Sequence, residues 1–175
     1  RTNDTAVYAA NDVIGAAIDV TNRKIWFTRN GVLEGSVLYA PAELAGYYPA
    51  VSGYGYLSGT ANFGATPFLY DPLLALTATV STSTGFNYLD KNMLGQPVLS
   101  NANLTVTYTS NTKWATTRAV TPLAATGVTY FEFLVTALPT NSDIRLGIIG
   151  PDFSDVTAFR YIGDYSSPDG DPQYD

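Results

Sequence analysis

The chain has 175 residues, 46 % of them apolar, which is enough for one domain with a proper core and too apolar for a disordered chain. It contains no cysteine and no histidine, which excludes disulfide frameworks, thiolate metal sites and Ser-His-Asp or Cys-His catalysis. The net charge is −6 and the nine basic residues are scattered without a cluster larger than Arg23-Lys24, so no nucleic-acid groove is expected; no apolar run approaches the roughly 20 residues needed to span a bilayer.

Helical periodicity is nearly missing, and strand signals recur. Residues 1–12 begin on Arg1 rather than Met, which reads as a fragment or a processed product. "VIGAAIDV" (13–20) is apolar on both faces, as a central strand is. After a tight turn at Thr21-Asn22, "RKIWFT" (23–28) puts Ile25 and Phe27 on one face and Lys24, Trp26 and Thr28 on the other. Asn30-Gly31 is a hairpin signal because both residues tolerate positive φ, and "VLEGSV" (32–37) should return from it. "APAELAGYY" (40–48) holds at most a helical turn, stopped by Pro49.

"YYPAVSGY" (47–54) and "GTANFG" (59–64) read as a second hairpin around the loop "GYGYLSG" (53–59). "TPFLYDPL" (66–73) ends this block with two prolines. "LALTATVSTSTG" (74–85) is small, polar and uncharged, a linker or an edge segment. "PVLSNANLTVTYTS" (97–110) and "WATTRAVTPL" (114–123) read as two strands with a turn near Asn111. "VTYFEFLVTAL" (128–138) alternates most cleanly, with Tyr130, Glu132 and Leu134 on one face and Phe131, Phe133 and Val135 on the other. "DIRLGIIG" (143–150) and "AFRYIGDY" (158–165) follow, and the tail "SSPDGDPQYD" (166–175) is turn-rich and acidic. About ten to thirteen short strands with turn signals every 8–12 residues are the pattern of an all-β, antiparallel two-sheet β-sandwich.

Two blocks together resemble the SPRY domain family. "NDVIGAAIDVTNRKIWFTRNG", "YYPAVSGYG" and "GTANFGATPF" are similar to the second half of such a domain. "LSNANLTVTYTSNTKWATTRAV", "GVTYFEFLV", "LGIIG" and "YIGDYSSPDG" are similar to the first half. The flavour is that of SPRY domains in phage tail and bacterial proteins rather than in animal ubiquitin ligases. The halves stand in reversed order, and residue 175 wants to lead into residue 1. Residues 1–175 are therefore expected to form one SPRY, concanavalin-like jelly-roll domain in circularly permuted order. Residues 1–73 are its second half, 74–86 a linker and 87–175 its first half. A cut from tandem repeats, or halves exchanged between successive chains, satisfies the same order.

The resemblance implies a binding module without chemistry of its own, and no cofactor is expected. The expected partner is a protein or a cell-surface glycan, met through end loops and an outward sheet face. The expected setting is extracellular or virion, such as a phage tail. Membership of a larger assembly or a homo-oligomer fits that setting. A purely structural fibre module is the alternative. A glycoside hydrolase fits less well, because no paired-carboxylate cluster appears among the only glutamates, Glu34, Glu43 and Glu132. The candidate ligand-binding residues are Trp26, Tyr54, Tyr56, Tyr161, Tyr165 and Asp169. Each has a plainer reading beside it. Trp26 can pack under a loop, Tyr54 and Tyr56 can simply cover the sandwich end, and Asp164, Asp169, Asp171 and Asp175 can be a solvated turn rather than a calcium loop. Trp114 is expected in the core, and Arg118 and Glu132 as a structural ion pair.

Overall fold

In the computed structural model, residues 8–39, 46–70, 79–80, 83–87, 97–153 and 162 are described, and among them there are eleven strands and no helix. The expected strand at 158–165 lies outside them except for Ile162, as do most of 40–48 and the acidic tail. Strand β1 (Val13–Asp19) is buried at every position, because both of its sides carry strands and both of its faces are covered. The turn after it is closed by Asp19, whose carboxylate accepts from Asn22 N at 2.8 Å and from Asn22 Nδ2 at 2.7 Å. β2 (Lys24–Arg29) and β3 (Val32–Tyr39) join through Asn30 and Gly31, with φ of 51° and 79°. Two successive positive φ values make the primed turn whose twist matches the strands it joins.

The expected second hairpin does not form. β4 (Tyr48–Gly55) and β5 (Ser58–Asn62) are consecutive, yet they lie in different sheets. Gly55 turns the corner at φ 95°, and Leu57 drops into the core, where its carbonyl accepts from Tyr108 N at 2.8 Å. Each strand thus gains two partners elsewhere instead of one in a hairpin. The stretch read as one strand at 97–110 is also broken. β7 (Val98–Ser100) and β8 (Thr105–Thr107) pair around a turn where Asn101, Ala102 and Asn103 all have positive φ. Asn tolerates that region far better than β-branched residues do, so the "NAN" triplet takes the turn. Asn111 lies within β9 (Ser110–Arg118).

β10 (Val128–Ala137) and β11 (Asp143–Ile149) complete the set, with the short β6 (Thr79–Val80) lying parallel against β10. The larger sheet has the order β3-β2-β1-β10-β5-β8-β7, with β6 beside β10 as its eighth strand; the smaller is β11-β4-β9. Every named pair except β6–β10 is antiparallel. This is the expected all-β sandwich.

Between the sheets lies one core. It takes Ile14, Ala16 and Ile18 from β1, Phe131, Phe133 and Val135 from β10, Val51 from β4 and Ala115 from β9. Phe63 packs edge-on against Phe86 with ring centroids 5.5 Å apart. Phe86, at the end of the stretch read as a linker, is thereby part of the core, and it bridges to Ala119. Tyr108 crosses the sandwich from the end of β8. Its ring fills the space beside Gly53, where a Cβ would lie 2.6 Å from it, and its hydroxyl donates to Val51 O at 2.8 Å. Phe133 is fully buried, and its ring also occupies the place a side chain at position 59 would need. Replacing Phe133 by Ala should cost about 3–5 kcal/mol. Urea unfolding should show the loss as a lower midpoint with an unchanged slope.

Candidate functional site

The smaller sheet presents its outer face through strict alternation. Val51 and Gly53 of β4 point inward, so Tyr48, Ala50, Ser52 and Tyr54 point outward. The middle of this face is covered. Ser52 Oγ is hydrogen-bonded to Thr116 Oγ1 at 2.8 Å and accepts from Ile162 N at 3.0 Å. Ala50 packs with Ile149 and Phe153.

Toward the end of β4 the face carries an aromatic group. The Tyr54 and Trp114 ring centroids are 5.8 Å apart at an interplanar angle of 42°. The Arg145 guanidinium lies 5.0 Å from the Trp114 centroid, on a platform that holds the cation by the negative charge of the ring face. Arg145 also donates to Ile162 O at 3.3 Å, and its Nε lies 3.8 Å from Asp143 Oδ2. Next along the chain, Tyr56 stands 57 % exposed at the corner between the sheets. At the other end of the same face Arg118 stacks on Tyr48 at 4.6 Å and donates to Pro151 O at 3.2 Å.

The register explains how Trp114 reaches Tyr54. Ser52 pairs with Thr116 and Gly53 with Ala115, so Trp114 comes next, opposite Tyr54 and on the same face of β9 as Thr116 and Arg118. A bulge follows, because Gly55 pairs with Ser110 and residues 111–114 stand opposite Tyr54 alone. Trp114 is thus half-buried on the outer face rather than in the core. Trp26 also stands opposite a bulge, formed by residues 35–37 of β3.

Trp26, however, lies on the outer face of the larger sheet, on the opposite side of the sandwich. It packs against Ala17, Val128 and Tyr130, beneath the segment that follows β5. That segment is tied down at both ends. Asn62 Nδ2 donates to Thr66 O at 3.1 Å and to Pro67 O at 3.2 Å. Glu132, 2 % exposed, accepts from Leu69 N at 2.8 Å and Tyr70 N at 2.7 Å. The Tyr130 hydroxyl donates to Tyr70 O at 2.6 Å, with Glu132 Oε1 also 3.1 Å away. Phe68 meets Tyr130 edge to face at 4.7 Å. An open, largely apolar groove of about 350 Å³ remains beside this strap, lined by Val13, Leu104, Leu134 and Leu69 among others.

The expected Arg118–Glu132 ion pair is therefore absent. The two residues sit on different sheets, and Glu132 is satisfied by backbone amides instead of a cation. Of the six candidate residues, the structure brings Tyr54 and Tyr56 to one region, places Trp26 across the sandwich, and leaves Tyr161, Tyr165 and Asp169 outside the described residues. Trp114 and Arg145 join Tyr54; the stretch "DIRLG" carried no signal for Arg145 beyond its parity on β11.

The SPRY domain family model matches residues 2–66. The E3 ubiquitin-protein ligase RKP of Arabidopsis thaliana is 42 % identical over 66 residues, which cover 36 % of this chain and 5 % of the ligase. The chain thus spans a small fraction of the length of that relative, which is a plant ligase rather than a phage protein. No solved structure matches the chain.

Removing the Glu132 carboxylate strands two backbone donors under the strap. Glu132→Ala should cost about 1–3 kcal/mol. Urea titration checks the loss, and chymotrypsin should cut faster at Leu69 and Tyr70 in the variant than in the parent.

Proposed function

We propose that this chain, whose residues 2–66 match the SPRY domain family model, is a non-catalytic module that binds a protein through the aromatic end of its smaller sheet. The observation that carries the reading is the stack of Tyr54, Trp114 and Arg145 on an outward sheet face. Tyr, Trp and Arg are the residue types that dominate binding energy at protein interfaces, because each buries a large rigid surface and keeps a polar edge. Tyr56 extends the same surface around the corner. Acid–base chemistry finds no support here. Glu132 is spent on backbone amides, and Glu34 lies 3.3 Å from Arg29 Nε at the far edge of the other sheet. A surface glycan would also suit an aromatic platform, and an extracellular or virion setting belongs to the same proposal.

We also propose that the two halves stand in permuted order, with 1–73 as the second half and 87–175 as the first. Support comes from β10, which pairs with β1 on one side and β5 on the other, so that strands of the first block flank a strand of the second. A chain rejoined from residue 175 to residue 1 by a short Gly-Ser linker, and opened at 81–82, should keep the parent's circular dichroism and Tm. A rejoined chain that cannot fold retires the permutation. A parent chain that sediments as a concentration-dependent oligomer supports halves exchanged between subunits instead.

For binding, peptide-display selection and a glycan array run side by side separate the ligand classes. Selected peptides should lose about thirtyfold or more in affinity when Tyr54 and Tyr56 are both changed to Ala, corresponding to a hot spot of about 2 kcal/mol. The Tm should shift by only a few degrees, because Tyr56 is mostly exposed. Glycan binding with no peptide selected overturns the protein ligand, and peptides indifferent to both changes overturn the site.

A further inference from the structure

We infer that Asn30 is a deamidation site gated by the fold: protected while the β2–β3 hairpin is closed against β1, and converted when that corner opens. Asn30-Gly31 is the only Asn-Gly step in the sequence. Glycine puts no Cβ in the way of its own nitrogen, so in an open chain the Gly31 nitrogen reaches the Asn30 side-chain carbon readily. The nitrogen loses its proton and bonds to Cγ, and the side-chain amide leaves as ammonia. Water then opens the cyclic imide at either carbonyl, giving an aspartate or an isoaspartate linkage. One water enters, one ammonia leaves, and nothing is oxidised or reduced.

In the folded chain this reaction is held off by geometry rather than by burial, since Asn30 is exposed. Its Oδ1 accepts from Val13 N at 2.9 Å, and its Nδ2 donates to Asp12 Oδ1 at 2.8 Å. Its backbone nitrogen donates to Val13 O at 2.8 Å. The side chain is thereby pinned back over the start of β1. Cyclisation must break both side-chain bonds and swing Cγ round to the Gly31 nitrogen. The ring of Tyr70 also crowds that turn, lying 3.0 Å from where a Gly31 Cβ would sit.

The same contacts make conversion hard to reverse structurally. A carboxylate at position 30 still accepts from Val13 N. It no longer donates to Asp12, and it sets a second negative charge at hydrogen-bond distance from the first. Arg29 NH1, 4.0 Å from Asp12 Oδ2, is the nearby cation, and it also serves Glu34, which lies 3.3 Å from its Nε. The isoaspartate form inserts an extra main-chain atom into the two-residue turn and breaks the pairing of Arg29 with Val32. Either product therefore opposes reclosure, so conversion accumulates with the time the corner spends open.

The test incubates the full chain at mildly alkaline pH, with and without urea, and maps the modified residue by peptide mass spectrometry. Conversion at Asn30 should be at least about tenfold slower in the folded chain, as expected when reaction waits on a local opening. Asp12→Ala, which removes one of the two side-chain anchors, should raise the folded-state rate, and Asn30→Asp should lower the Tm. Equal rates with and without urea overturn the gate, whatever the variants do. An Asn30→Asp variant with the parent's Tm overturns the claim that conversion opposes reclosure.

Discussion

The fold depends on what happens along β10. Its inner face drives Phe131, Phe133 and Val135 into the core, and its two edges carry β1 on one side and β5 with β6 on the other. Backbone groups of β1 and β5 cannot go unpaired in a dry interior, so strands from the first third of the chain must wait for a strand that begins at residue 128. Ile18 faces Thr129 and Asn62 faces Glu132 across these ladders. Such distant pairings impose a large loop-closure cost before burial rewards it, which points to slow, cooperative folding rather than stepwise growth from the amino end.

The outer faces then divide the labour. On the larger sheet a strap hides Tyr130 and half-hides Trp26, and it is fastened by the buried Glu132 carboxylate. On the smaller sheet the polar pair Ser52 and Thr116 anchors Ile162 over the centre, while the aromatic group stays at the margin. One face has its aromatic side chains under a strap, and the other carries two half-buried ones at its margin with a guanidinium against them. That contrast is why the binding proposal rests on Tyr54 and Trp114 and not on Trp26, although the sequence offered Trp26 as a candidate and assigned Trp114 to the core.

Much of the architecture could be read from the residues. The alternation of "VTYFEFLVTA" separates Phe131 and Phe133 from Tyr130 and Glu132, as found, and the Phe face is the one in the core. The all-buried β1 and the Asn30-Gly31 turn were equally legible, since each follows from a local rule of periodicity or φ preference. What stayed hidden was set by distant partners. "YYPAVSGY" and "GTANFG" look like a hairpin until Leu57 finds its place between the sheets. "PVLSNANLTVTYTS" looks continuous because its break lies in backbone conformation rather than hydropathy. Trp114 seemed internal because a large aromatic ring suits a core, whereas the small Ala115 beside it is the residue that faces inward. The charge of Glu132 suggested Arg118, whereas the amides that hold it come from a segment of no distinctive composition.

Tyr108 carries a mechanical consequence. Its ring belongs to the larger sheet's side of the core, yet its hydroxyl is bonded to the backbone of the smaller sheet at Val51, and its body is wedged against Gly53. A side chain that keys into a notch and bonds beyond it acts as a shear pin. The two layers cannot glide past each other without breaking a desolvated hydrogen bond and driving a ring into main chain. Gly53 is the immediate neighbour of Tyr54, so the exposed aromatic surface stands on the stretch of backbone that this pin immobilises, and whatever lands there meets a rigid anvil.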